Sequence, residues 1–449
     1  MHVMAANSKH IAKLIGPTFV ALAITEGLNL HLFQNTQAVV VYLNGTLLFI
    51  AGLAILRVHN VWTREWPMLV TLTGWFGVLA GLGRMIAPAS AHSTGPGAYL
   101  VLIVLLAIGS FLSVKAYSRT EKGHLKKSAI VVCVVLGAAG AWAFVQYRTD
   151  IAQQWNRVST NSQIAETPCG PIEYATAGSG LPLLAVHGAG GGFDQGLDFV
   201  QDLPQRNIKV IAMSRFGYLR TPLPADASAE AQADAHLCLM NALGISRAAI
   251  AGVSAGAPSA MQFAIRHPEQ TAALFLMVPA AYRPDPAAPD SPTTQVRSLT
   301  TPPWTAFLFD TALRSDLLFW LTIRLAPDIT LGSILATPPE VVKGADRSEQ
   351  QRVQQIMEHL LPITPRRLGL INDAKVTSIL PRYDLEHIQA PTLIVSLKDD
   401  GYGTYAGARY SADHISGARF IGYDRGGHVG VGHNQEIFEE ATRFLHANK

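Results

Sequence analysis

The stretch "IAGVSAGAPS", residues 250–259, sets one serine between two glycines at the end of an apolar run. The run before Ser254 reads as a buried strand, and the residues after Gly256 have helical spacing. Gly252-Val253-Ser254-Ala255-Gly256 therefore fits G-x-S-x-G in the context that pattern needs, a strand ending in a strained turn that opens a helix. Small residues two positions to either side let helix and strand pack closely. Pro258 falls near the helix start, where a missing N–H costs least. As a bare pattern the motif recurs by chance. Its meaning depends on whether the chain also supplies a base, an acid and an oxyanion site in order.

Strand and helix signals alternate around it. "GPIEYATAG", "LPLLAVHG", "NIKVIAMS", "TAALFLMVP", "APTLIVSL" and "ARFIGYD" read as strands. "SAEAQADAHLCLMNALGI" has helical spacing, with Ala231, Ala235, Leu239 and Leu243 on one face and Gly244 at its end. "NQEIFEEATRFLHAN" closes the chain as an amphipathic helix. Near-continuous apolar strands alternating with helices predict a mostly parallel sheet with helices on both faces. Between residues 282 and 376 the alternation stops. A proline-rich lead-in, "RPDPAAPDSPTTQ", precedes the aromatic helical stretch "WTAFLFDTALRSDLLFWLTIRLAP", which predicts a helical cap over the carboxyl ends of the strands. That stretch is too short and too interrupted by charge for a membrane span. The cap rings Trp304, Phe307, Phe309, Phe319 and Trp320 suggest an apolar acyl or aryl group, or else fill the cap's own core.

Three further stretches complete the chemistry. "VHGAGGGFDQG" follows an earlier strand, and its glycines let backbone N–H groups approach a carbonyl oxygen. Ala255 and Ala189 are the expected oxyanion donors, with Gly190 the alternate for the second. His187 reads as a buried structural residue. "LIVSLKDDGYGT" offers Asp399 and Asp400 past a late strand. Both can orient a histidine; Asp400, one residue further into the turn, is the choice. "YDRGGHVGVGH" places His428 after the last strand on a Gly-Gly loop, with His433 as the structural alternative. His428 would take the Ser254 proton and return it to a leaving group.

"HGAGGG", "SRFGYLRTP", "GVSAG", "LKDDGYGT" and "GGHVGVGH", in that order, resemble the α/β-hydrolase fold superfamily over about residues 165–447. The resemblance implies a Ser254–His428–Asp400 triad, an Ala189/Ala255 oxyanion hole, and a 282–376 insertion that shapes the substrate pocket. It implies least about the substrate.

The whole chain is too apolar for an ordinary soluble enzyme: 49% hydrophobic, 15% charged, mean hydropathy +0.22. Residues 1–149 carry 11 Lys+Arg against 3 Asp+Glu, and residues 150–449 carry 24 against 29. A basic, apolar first third predicts an all-α transmembrane bundle of about five spans, 14–33, 36–56, 67–86, 97–116 and 128–147, with four the alternative. A polar linker, 150–164, then leads to the hydrolase domain, 165–449. "RVHNVWTRE" and "KAYSRTEKGHLKK" are basic while the intervening loops lack Lys and Arg, so the positive-inside rule places the N-terminus in the cytoplasm. An odd span count then puts the catalytic domain outside the cytoplasm. Glu26 and Arg84 are expected to pair within the bundle, supported by Asn29 and Asn44.

Of the three cysteines, Cys133 lies in an apolar span; Cys169 and Cys238 read as two unrelated buried thiols, a disulfide being the alternative. No spacing suggests a metal, the chemistry calls for no cofactor, and no basic cluster with interleaved aromatics invites nucleic acid. The expectation is a membrane-anchored serine hydrolase acting through an acyl-enzyme on a small-molecule or lipid-like ester. Carbon–carbon hydrolysis, perhydrolysis, or a non-catalytic receptor on the same fold are the alternatives. Nothing in the sequence fixes the oligomeric state.

Overall fold

The apolar runs of the C-terminal part build an eight-stranded sheet. Its strands, in chain order, are β1 (Gln163–Thr167), β2 (Gly170–Ala177), β3 (Leu181–Val186), β4 (Ile208–Met213), β5 (Ala248–Val253), β6 (Thr271–Met277), β9 (Thr392–Leu397) and β10 (Arg419–Tyr423). The missing two, β7 (Thr293–Gln295) and β8 (Ile379–Pro381), pair with each other separately. The spatial order is β1-β2-β4-β3-β5-β6-β9-β10. β2 runs antiparallel to β1 and β4; all other neighbours are parallel. The central strands β3, β4, β5 and β6 are buried almost end to end, which their unbroken apolar runs require. One core layer gathers Leu184, Ile211, Ile250 and Leu274; the other gathers Leu183, Val210, Phe275 and Val395. Successive residues of each strand face opposite layers, so both faces are covered.

This computed structural model describes residues 2–28, 38–88, 96–117, 123–284, 291, 293–295 and 311–449. The chain divides into two units, Met1–Arg148 and Thr149–Lys449. In the first, α1 (His2–Leu28), α2 (Ala38–Val58), α3 (Pro67–Ile86) and α4 (Pro96–Tyr117) precede α5 (Gly123–Thr160). By length and composition α2 and α3 are each long and apolar enough to cross a membrane. They pack on glycines: a Cβ on Gly52 would lie 2.7 Å from the Gly74 carbonyl oxygen. Glycines at such positions let the two helix backbones approach closely. Arg84 donates to the Asn44 side chain, as expected. Glu26 is half-buried and feels the Arg84 charge, but no hydrogen-bonded pair between them is among the described contacts. Asn29 lies outside the described residues.

Two expectations need correction. The polar stretch 150–164 is not a free linker. Its first part continues α5 to Thr160, burying Ile151 and Val158, and its end opens β1. Cys169 and Cys238 are not separate buried thiols: they form a disulfide between the β1–β2 turn and α7 (Ala229–Ala242), and neither is fully buried. Ser228 caps α7 by accepting from the Ala231 amide.

The insertion between β6 and β9 is helical as expected, with helices Asp316–Leu325, Arg347–His359 and Arg367–Ser378. Its base is a short β7–β8 ladder that the sequence did not suggest. The apolar run there breaks at Ala326–Pro327, where the chain bends by 103°. Phe319 and Trp320 are buried; Trp304, Phe307 and Phe309 lie outside the described residues.

Candidate active site

β5 ends at Val253, and the next residue turns sharply. Ser254 has φ +51°, a left-handed conformation that side chains other than glycine rarely adopt. Gly252 and Gly256 make the turn possible. A Cβ on Gly252 would sit 2.7 Å from the Ala260 methyl, and one on Gly256 2.4 Å from the His187 carbonyl oxygen. The turn lifts the Ser254 hydroxyl clear of the sheet, above the N-terminus of α8 (Ala257–Arg266).

The loop after β10 reaches back to this serine. His428 Nε2 lies 2.9 Å from Ser254 Oγ, and His428 Nδ1 lies 2.9 Å from Asp400 Oδ2. An ionised carboxylate only accepts, so Nδ1 carries the proton and Nε2 turns its lone pair to the hydroxyl. Asp400 also accepts from the Tyr402 amide (2.9 Å) and the Thr404 hydroxyl. Burial alone raises the Asp400 carboxyl, but the His428 charge and these hydrogen bonds outweigh it and hold the group below the usual carboxylate range. Asp399, the other candidate, faces away from the ring. It accepts from the Gly426 and Gly427 amides (3.0 and 2.8 Å) and so anchors the loop that carries His428. His433 stacks on Tyr423, away from the serine.

The cap contributes to the same loop. The His428 and Val429 amides donate to the Ala336 carbonyl and the Thr337 hydroxyl. From the helix Arg347–His359, Arg352 donates to the Val429 carbonyl (3.0 Å) and Glu349 accepts from the Gly432 amide (2.9 Å). Arg352 and Glu349 are paired with each other at 2.9 Å. The tip of the His428 loop is thus braced by cap residues that no local sequence signal marked.

On the other side of Ser254 stands the glycine-rich loop after β3. Among the described hydrogen bonds outside helices and strands, the Ala189 and Ala255 amides have no partner, whereas Gly188 N–H donates to Gln195. The Gly190 amide donates to the Tyr218 hydroxyl (3.2 Å), so the alternate donor is engaged elsewhere. Buried charge fixes this loop. Arg366, fully buried, binds Asp194 (2.7 Å) and the Gly191 carbonyl, and Arg157 binds Asp194 from α5 (2.5 Å). Burial raises Asp194, but the two guanidinium groups outweigh it and hold it well below its ordinary value. His187 is structural: the Arg215 amide donates to its Nε2, and its Nδ1 meets the Gly188 carbonyl. Burial and the Arg215 charge keep it neutral.

Ser254, His428, Ala189 and Gly188 border a cavity of about 130 Å³. Its other walls are apolar at Phe199, Met277, Ile334, Leu335 and Phe438, and polar at Gln195, Asp198, Arg352, His359, Tyr402 and Asn434. The Tyr402 ring meets the His428 ring edge-on at 4.9 Å. Neither Phe319 nor Trp320 is on this wall; both are buried, and the Trp320 indole N–H donates to Asp150 on α5 (2.9 Å).

A family model described as alpha/beta hydrolase fold matches residues 182–433. The chain belongs to the alpha/beta hydrolase fold family. Among curated relatives, a 2-hydroxymuconate semialdehyde hydrolase of Pseudomonas sp. (strain CF600) is 34% identical over 105 residues. That match spans 22% of this chain and only 37% of the relative. The uncharacterized hydrolase YcgS of Bacillus subtilis (strain 168) is 24% identical over 262 residues, 56% of this chain and 85% of the relative. Among solved structures, an alpha/beta hydrolase fold protein from Nakamurella multipartita superposes with a TM-score of 0.51 at 23% identity, over 64% of this chain and 100% of that one. At that identity the likeness is one of fold.

Proposed function

We propose that this alpha/beta hydrolase is a membrane-anchored serine hydrolase that cleaves carboxylic esters through an acyl-enzyme. The observation that carries the reading is the relay Ser254 Oγ–His428 Nε2–His428 Nδ1–Asp400, each step 2.9 Å, opening on a cavity beside two unpartnered amides. His428 removes the Ser254 proton as Oγ attacks the carbonyl. Asp400 holds the ring in the required tautomer and offsets the charge the ring gains. The Ala189 and Ala255 N–H groups receive the oxyanion, an interaction stronger in the transition state than before it. His428 then protonates the leaving alcohol. A water takes its place, loses its proton to the same ring, and releases the acid.

The anchoring rests on the two helices, α2 and α3, that are long and apolar enough to span a bilayer, within the basic first third of the chain. An extracytoplasmic catalytic unit rests on the basic-loop pattern and on the Cys169–Cys238 disulfide, a bond that persists chiefly in oxidising compartments. Carbon–carbon cleavage is the second reading, favoured by the 2-hydroxymuconate semialdehyde hydrolase relative.

The test is a fluorophosphonate probe on the full chain in detergent, together with turnover of p-nitrophenyl butyrate. Ser254 is expected to be the labelled residue, and Ser254→Ala to lose both labelling and turnover while melting like wild type. Undiminished turnover in that variant would sink the triad. A wild type that labels but cleaves no ester, while cleaving 2-hydroxymuconate semialdehyde, would favour the second reading.

A further inference from the structure

A second histidine–carboxylate pair borders the same cavity and has no part in the mechanism above. Asp198, on α6 (Phe193–Phe199), lies 2.5 Å from Nδ1 of His359, the last residue of the cap helix Arg347–His359. Both side chains are about one-fifth exposed, and both line the cavity that Ser254 lines. Its Nδ1–H is committed to the carboxylate, so the ring keeps Nε2 as its remaining polar atom. No described contact occupies that nitrogen.

The surrounding charge decides what such a nitrogen can bind. Arg352 is the one cation among the described lining residues, and it is already satisfied by Glu349 and the Val429 carbonyl. Asp198 places a carboxylate directly beside that ring. An anionic substrate group would face that charge with no free cation to meet it. A neutral donor suits the site: its proton goes to Nε2, and Asp198 strengthens the acceptor through the ring. Gln195 is engaged with the Gly188 amide and the Ala189 carbonyl, and apart from it and Asn434 the rest of the wall is mainly apolar, where a hydroxyl without a partner would be penalised.

Resting on the serine hydrolase reading, we infer that Asp198 and His359 form the polar end of the substrate pocket and select esters that carry a hydroxyl group away from the scissile carbonyl. A pocket built to bond a hydroxyl rejects the analogue lacking it, because its own polar group is then left unpaired.

The experiment compares kcat/KM of the full chain in detergent on two matched pairs. One is p-nitrophenyl 6-hydroxyhexanoate against p-nitrophenyl hexanoate; the other is glycerol monohexanoate against propyl hexanoate. Wild type is expected to favour the hydroxylated member of at least one pair by ~5-fold or more, the worth of one hydrogen bond between neutral groups. His359→Leu and Asp198→Asn are each expected to bring that ratio to about one, the difference lying in KM, with Ser254 still labelled by the fluorophosphonate. No preference in either wild-type pair would overturn the inference, and so would a preference that survives both substitutions. Failure of wild type to label at Ser254 would instead remove the catalytic reading beneath it.

Discussion

Two adjacent carboxylates offer the sharpest check of the site, because the structure gives them different work. Asp400 touches the His428 ring; Asp399 touches only the backbone that carries it. Asp400→Asn keeps the shape but removes the charge. The ring is then free to carry its proton on Nε2, where it cannot accept from Ser254. In a serine triad this loss costs about four decades in kcat, or roughly 5 kcal/mol of barrier. Asp399→Asn acts on the fold. Of two backbone amides that now donate to the carboxylate, one would meet an amide NH₂ and lose its partner, costing about 1–3 kcal/mol of stability. Turnover should fall by no more than ~100-fold, since the relay itself is untouched. The assay is steady-state hydrolysis of p-nitrophenyl butyrate with a thermal melt of each variant. If Asp399→Asn loses more turnover than Asp400→Asn, or if Asp400→Asn stays within tenfold of wild type, the assignment is wrong.

Other outcomes follow from the same geometry. Asp194→Asn leaves Arg366 and Arg157 without their counter-charge; removing one partner of a buried pair costs about 3–5 kcal/mol. Because the folded carboxyl lies below its unfolded value, its contribution is complete above that value and is lost as pH falls toward the folded one. The gap in melting temperature between wild type and variant should therefore hold steady from about pH 8 to 5 and narrow below about 4. Arg352→Gln should lower kcat by ~10-fold through a looser His428 loop, with KM changed less; an effect on KM alone would mean that Arg352 acts on substrate. Denatured without reductant, the chain should take up one maleimide, at Cys133, and three after reduction, read by mass.

The parallel sheet was legible because strands such as Leu181–Val186 and Ala248–Val253 are apolar throughout, and only burial on both faces explains that. Ser254, Asp400 and His428 were legible as candidates from the order of loops that follow strands. β1 was not, since an exposed edge strand reading "QIAET" has no apolar signal. Residues 150–160 looked like linker because only Ile151 and Val158 among them are fully buried, too few to show a period. The disulfide joins positions 69 residues apart, and Tyr218 takes the Gly190 amide from 28 residues away; spacing along the chain carries neither fact. The polar cavity wall is likewise assembled from separate elements, a helix after β3 and a helix of the cap.

The cap's grip on the His428 loop ties the placement of the imidazole to the seating of the cap. Any displacement of the cap wide enough to admit a bulky guest would slacken Ala336, Thr337, Glu349 and Arg352 together, and the imidazole would drift from its post. The imidazole thus inherits its rigidity from a segment more than seventy residues away in the chain, as much as from its own loop.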